Sequence, residues 1–152
     1  MKISDQDRRL LRDLQADAGQ SLAQLAERTG MATSTVWRKV QDFEASGLIR
    51  GRVALLDPVK AGAGLCAFAT VRLSDHSENA INAFARLVRT QPNIMEAHAI
   101  SGTADYILKI RCADMAEYEA FLTSNLLRRT EVKSVVTSFS LKPLKETLAV
   151  PL

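Results

Sequence analysis

The apolar residues of this 152-residue chain keep two different periods. The change falls across a run of small residues, Pro58-Val59-Lys60-Ala61-Gly62-Ala63-Gly64. Before the run, apolar positions recur every three to four residues, as on helices. After it they alternate, as on strands that bury one face. A chain patterned this way resolves into two modules: residues 1–58, a linker at 59–64, and residues 65–152. Modules of about 60 and about 90 residues bury little surface each, which favours association with a further copy.

In the first module, Ser4-Asp5-Gln6-Asp7 has the Ser-x-x-acid form of a helix start, and Leu10, Leu11, Leu14 and Ala18 follow at helical spacing up to a stop at Gly19. Ser21-Leu22-Ala23-Gln24 restarts the pattern with a second capping box, and Leu22, Leu25 and Ala26 form one face. Gly30 permits a left-handed turn, and Ala26 allows close approach of the next helix. That helix starts at Thr33 or Ser34, buries Val36, Val40 and Phe43, and ends at Gly47. The order is a helix-turn-helix.

Polarity separates this arrangement from a plain structural bundle. No acidic residue occurs from Arg28 through Gln41. Thr33, Ser34, Thr35, Arg38, Lys39 and Gln41 occupy the side of the third helix away from its apolar stripe. Short hydroxyls at a helix start suit phosphate, and arginine can be bidentate to guanine. Trp37 is expected to pack between helices. Leu48 to Pro58 reads as a short ribbon, a wing, with Arg50 and Arg52 on one face of its extended chain and available to phosphate. A solvated edge that discourages strand pairing is the competing reading for those two arginines.

The second module has the order βαββαβ. Strands are expected at Leu65–Leu73, Ile94–Ile100, Asp105–Arg111 and Val132–Leu141. Helices are expected at Asn79–Thr90 and after the cap residue Asp114. This predicts a ferredoxin-like antiparallel sheet with both helices on one face. Leu65, Ala67, Ala69 and Val71 alternate with Cys66, Phe68, Thr70 and Arg72. Both sets carry apolar residues, so the second sheet face is expected to be covered too, by another subunit.

Composition excludes several classes. The net charge is +3, with ten basic and eight acidic residues up to Lys60 and ten and nine beyond it, so bulk charge does not single out either module. There is no apolar run of 18 residues for a membrane span. The start, Met1-Lys2-Ile3-Ser4-Asp5-Gln6-Asp7, lacks a signal-peptide core, which predicts a cytoplasmic protein. Cys66 and Cys112 are 46 positions apart with no CxxC or Cys/His cluster, so neither a metal site nor a disulfide scaffold is expected. They read as two reduced cysteines on neighbouring strand ends, with a redox pair as the alternative. No GxSxG, HExxH or phosphate loop is present, and no catalytic residue or cofactor is assigned. His98 reads as structural or as framing a ligand pocket, and His76 as a turn residue.

Motifs along nearly the whole chain resemble the Lrp/AsnC, or feast/famine, family of bacterial regulators. They are Asp5-Gln6-Asp7 with Leu10-Leu11, Leu22-x-x-Leu25-Ala26-x-x-x-Gly30, Val36-x-x-Lys39-Val40, Gly47-Leu48-Ile49 and Val53-Ala54-Leu55-Leu56-Asp57-Pro58. In the second module they are Glu96-x-His98-x-x-Ser101-Gly102-x-x-Asp105-Tyr106-x-Leu108-Lys109 and Asp114-Met115-x-x-Tyr118. The resemblance implies an α+β protein with an N-terminal winged helix-turn-helix and a C-terminal RAM domain that dimerises through its sheet. It implies double-stranded DNA and a small effector, usually an amino acid, as partners. Dimers assemble further into tetramers or octamers, and no membrane is involved. The implied effector loop is Ser101, Gly102, Thr103, Ala104, Asp105 and Tyr106, with Asp105 pairing an α-ammonium. Thr137 and Ser138 of the last strand contribute from a facing subunit. The family loop often carries an acid and an aromatic where this chain has Thr103 and Ala104, which makes the pocket roomier and less charged. Ala54–Pro58 together with Asp75-His76-Ser77 is similar to a subgroup that includes cysteine-responsive regulators.

The same layout also resembles sirohaem decarboxylases, which makes a tetrapyrrole enzyme using His98 the competing function. The acid-free stretch from Arg28 through Gln41 favours DNA binding. A third possibility, a sensor acting only through protein contacts, predicts no salt-dependent DNA affinity.

Overall fold

The computed structural model describes residues 3–152; Met1 and Lys2, which open the polar segment noted above, lie outside the described residues. Two compact units form. One comprises residues up to Leu55 together with Leu144–Leu152, and the other Leu56–Pro143. The sequence order had suggested that 144–152 would stay with the second module. Instead this segment returns to the first.

In the first unit, α1 (Asp5–Ala16) starts as its sequence dictates. The Ser4 hydroxyl accepts from the Asp7 amide, and the Asp7 carboxylate accepts from the Ser4 amide at 3.0 Å. The helix stops at Ala16, short of Gly19, because Asp17 turns the chain and accepts from the Gly19 amide at 2.8 Å. Ala18 therefore lies beyond the helix and is exposed. The second capping box, Ser21 with Gln24, opens α2 (Leu22–Thr29), which ends at Gly30 in the left-handed conformation with φ 68°. After α3 (Thr33–Ala45), Gly47 takes φ 74° and the chain leaves. Leu10, Leu11, Leu25, Ala26, Val36, Val40 and Phe43 make the core.

Leu152 packs against that core from the returning segment. Gln15 fixes the same segment by exchanging two hydrogen bonds with Val150, accepting from its amide at 2.7 Å and donating to its carbonyl at 3.1 Å. Arg12 donates twice to the Leu152 carbonyl.

The expected ribbon does not form. Residues 50–57 form no regular secondary structure and pair with no strand. Alternation gave this stretch strand character, but no second run follows it before Pro58, so the backbone has nothing to ladder with. The linker is a tight turn: Asp57 accepts from the Val59 amide at 2.9 Å, and Pro58 from Ala63 at 2.7 Å.

In the second unit, β1 (Leu65–Leu73), α4 (Glu78–Thr90), β2 (Ile94–Ala99), β3 (Tyr106–Cys112), α5 (Met115–Phe121) and β4 (Val132–Phe139) follow in order. Helix α5 continues into a π-helical turn, Leu122–Leu127. The strand order is β2-β3-β1-β4, antiparallel throughout. This is the α+β, ferredoxin-like layout expected from βαββαβ. Ala67, Ala69, Val71 and Leu73 face the helices, where Phe84, Leu87, Tyr118, Phe121 and Leu126 pack against them with Leu108, Ile110 and Cys112. The alternation alone left open which set faces which layer. The structure turns the alanine set inward, because small side chains let helices sit close to the sheet. Cys66, Phe68, Thr70 and Arg72 line the opposite face.

That arrangement also separates the cysteines. Cys112 lies opposite Leu65 and points toward the helices, whereas Cys66 lies opposite Arg111 on the other face. Both thiols are free, and burial pushes the Cys112 thiol up. Among the described residues no helix is long and apolar enough to cross a membrane, and no group of His, Cys, Asp or Glu could hold a metal ion.

Candidate nucleic-acid interface and effector loop

Helix α3 divides cleanly by angle. Val36, Val40 and Phe43 enter the core, Ser34, Arg38 and Gln41 are exposed on the far side, and Trp37 is exposed at the edge between the two. Trp37 is 55% exposed, so it does not pack between helices as its size suggested. Its angle puts it 100° round from Val36, and that angular signal outweighs its hydrophobicity. Thr33 is exposed in the first turn and Thr35 is partly covered. Ala32 holds the cap position and offers no side-chain acceptor to the first amides.

The remaining cations differ in how tightly they are held. Lys39 is half-buried and ion-paired with Asp7, a buried carboxylate of α1. Burial works against ionisation of Asp7, but hydrogen bonds from Lys39 and Ser4 and the lysine charge outweigh it and hold the carboxyl below its ordinary value. Lys39 is therefore the tie between α1 and α3 and has little freedom to leave. Arg52 pairs with Glu44 at 3.1 Å, but both side chains are well exposed, at 49% and 38%. Such a pair is worth about 0–1 kcal/mol, so a phosphate can take the arginine from it. Arg38 and Arg50 are exposed.

The loop 101–105 joins β2 to β3. Gly102, at φ 124°, takes a conformation that L side chains rarely adopt. Ser101 and Thr103 are exposed; Ala104, Asp105 and Tyr106 are partly covered. Asp105 does not present a free carboxylate. One oxygen accepts from the Leu73 amide at 2.7 Å, and the other meets His76 Nε2 at 2.9 Å. The His76 bond first, and then the Leu73 amide, hold its carboxyl below the usual range. His76 was legible only as a turn residue; its partner lies 29 residues away. The Tyr106 ring packs on Phe84, centroids 4.6 Å apart, beside a shallow apolar depression lined by Val88, Ala97 and Ala99.

The last-strand pair expected at the effector site divides. Thr137 lies opposite Ala69 on the helix side, and its hydroxyl bonds to Tyr118. Ser138 lies opposite Phe68 on the open face. Within one chain neither meets the loop, since Tyr106 is opposite Val71 and Val71 opposite Val135. His98 is exposed and 3.7 Å from Glu96.

A helix-turn-helix in one unit and a four-stranded antiparallel sheet with helices on one side in the other make this a two-unit α+β protein. Residues 3–50 match the model of the winged helix-turn-helix DNA-binding domain, and residues 66–150 match the Lrp/AsnC ligand binding domain. The chain belongs to the Lrp/AsnC family of transcriptional regulators. It is 36% identical to the glutamate uptake regulatory protein of Zymomonas mobilis, over 99% of this chain and 92% of that one. An AsnC family transcriptional regulator from Agrobacterium tumefaciens superposes with a TM-score of 0.93 at 35% identity, covering 97% of this chain and 96% of that one. A transcriptional regulator from Neisseria meningitidis, solved in complex with L-Met, gives 0.95 at 30% identity, covering 99% and 97%.

Proposed function

We propose that the protein is a cytoplasmic, homo-oligomeric regulator that reads double-stranded DNA with α3 and responds to an amino acid at the loop 101–106. The observation that carries the first half is the exposed α3 face, where Ser34, Trp37, Arg38 and Gln41 stand clear of a helix whose other side builds the core. On this reading Arg38 contacts base edges. Thr33, Ser34 and Thr35 position the helix start on the backbone, and Arg50 and Arg52 add phosphate contacts. Lys39 holds the helix in place through Asp7. Replacing Arg38 with alanine is expected to weaken binding to a specific duplex by about 1–3 kcal/mol in a salt-controlled shift assay. Unchanged affinity would remove Arg38 from the reading surface.

The L-Met complex belongs to the Neisseria protein. Its likeness to this chain supports an amino acid as effector here, and Thr103 and Ala104 in place of bulkier residues favour a different side chain. A thermal-shift screen of the twenty amino acids, cysteine included, identifies it, because a ligand bound only by the folded state raises the melting temperature. The open sheet face, with Phe68 and Val136 exposed, supports pairing with a second copy. A facing copy is also what could bring Ser138 to a loop. An effector at that junction changes DNA binding by preferring one assembly over another.

Asp105 then works through the loop. It ties Leu73 and His76 to the loop's end and sets its shape. Asp105→Asn keeps one acceptor and loses the other. It is expected to abolish the effector-dependent change in DNA affinity while leaving effector-free binding at the wild-type level. Loss of both, measured side by side, would mean that the unit had misfolded.

A further inference from the structure

We infer that Trp37 is a specificity-determining residue that reads the C5-methyl group of thymine in the major groove. The inference rests on α3 being the helix that enters the groove. Tryptophan is large and usually mostly covered, yet Trp37 is 55% exposed. It stands on α3 between Ser34 and Gln41, next to Arg38, at the edge of the exposed face, about 100° round from Val36. The core encloses Leu10, Leu25 and Val36 almost fully, whereas more than half of Trp37 stays outside it. Its position therefore serves a surface that something else covers.

The chemistry of a duplex narrows what that contact is. The base edges in the major groove are almost all donors and acceptors, which suit Arg38, Gln41 and Ser34. The one apolar feature is the thymine methyl. The indole has a single N–H to give to a guanine or adenine edge and no acceptor, so it makes no bidentate pair there, and nearly all of its surface is apolar. Against a methyl group it buries apolar surface on both partners. The neighbouring arginine supplies the polar reading, so a site recognised by this helix carries a thymine close to the base that Arg38 contacts.

The test changes the DNA first and then the protein. A duplex selected from a random pool by the wild-type protein has each thymine of one half-site replaced in turn by deoxyuridine. Pairing is preserved and only the methyl is removed. At one or two positions wild-type affinity is expected to fall about fourfold per methyl, the value of one buried carbon group. Trp37→Ala is expected to bind the thymine and uracil forms equally, and Trp37→Phe to keep part of the discrimination. Discrimination that persists undiminished in Trp37→Ala, or a wild-type protein indifferent to every replacement, overturns the inference. Equal weakening of both duplexes by Trp37→Ala also overturns it, assigning the ring to the backbone. If the wild-type protein selects no sequence and shows no salt-dependent affinity, the reading of α3 itself fails, which is a distinct result.

Discussion

Truncating Phe84 to alanine is expected to destabilise the sheet unit by about 3–5 kcal/mol, the usual cost of removing a fully buried aromatic ring. Phe84 is 1% exposed and is among the largest fully buried side chains. The core cluster it belongs to includes Ala67 and Ala69, whose side chains are too short to fill the space it leaves. The contact with the Tyr106 ring is lost as well. A domain of this size commonly has about 5–10 kcal/mol in total, so the variant stands near unfolding at ambient temperature. Phe84→Leu retains most of the volume and is expected to cost about 1–2 kcal/mol. Urea unfolding followed by circular dichroism measures both. A loss below 1 kcal/mol for the alanine variant would mean that the helix layer collapses onto the sheet far more readily than its packing indicates.

The second large effect concerns Asp7. Asp7→Ala removes the reciprocal cap with Ser4, worth about 1 kcal/mol, and leaves Lys39 half-buried without its partner. Together about 2–3 kcal/mol is expected, less than for a fully buried pair because Lys39 retains some contact with water. The effect has a definite pH signature. The carboxyl of Asp7 is held below its ordinary value of 3.8 in the folded state. Its ionised form therefore stabilises the fold fully above the ordinary carboxylate range. That contribution is lost as the pH falls through the lowered folded-state value. Melting temperatures of wild type and Asp7→Asn, taken from neutral pH downward, should differ most above about pH 5 and converge in strong acid. A gap that stays constant would show that the carboxylate charge is not what holds α1 to α3.

These residues also show where the sequence could be read and where it could not. Capping is a local matter: Ser4 with Asp7 and Ser21 with Gln24 sit three residues apart, and both boxes form as their spacing dictates. The strand order of the sheet follows from βαββαβ because antiparallel pairing and short connections leave few alternatives. The angle of Trp37 on α3 marks it as exposed, whereas its hydrophobicity alone points inward. Lys39 looked free because its partner lies 32 residues away. The same holds for Asp105, whose partners come from Leu73 and His76 and could not be inferred from the loop itself. In β1 both alternating sets contain apolar residues, so only the helices decide which one is inside. Residues 50–57 carry strand character that needs a partner the single chain does not provide.

The return of residues 144–152 to the first unit has a consequence for synthesis. The helix-turn-helix is encoded in two pieces, with the whole sheet unit between them. Translation delivers its three helices first and the four strands next. Val150 and Leu152, which bond to Gln15 and Arg12, emerge only after both. A nascent chain can therefore have every strand of the sheet available while α1 still lacks the segment that covers it. The unit translated first is the one whose contacts are finished last.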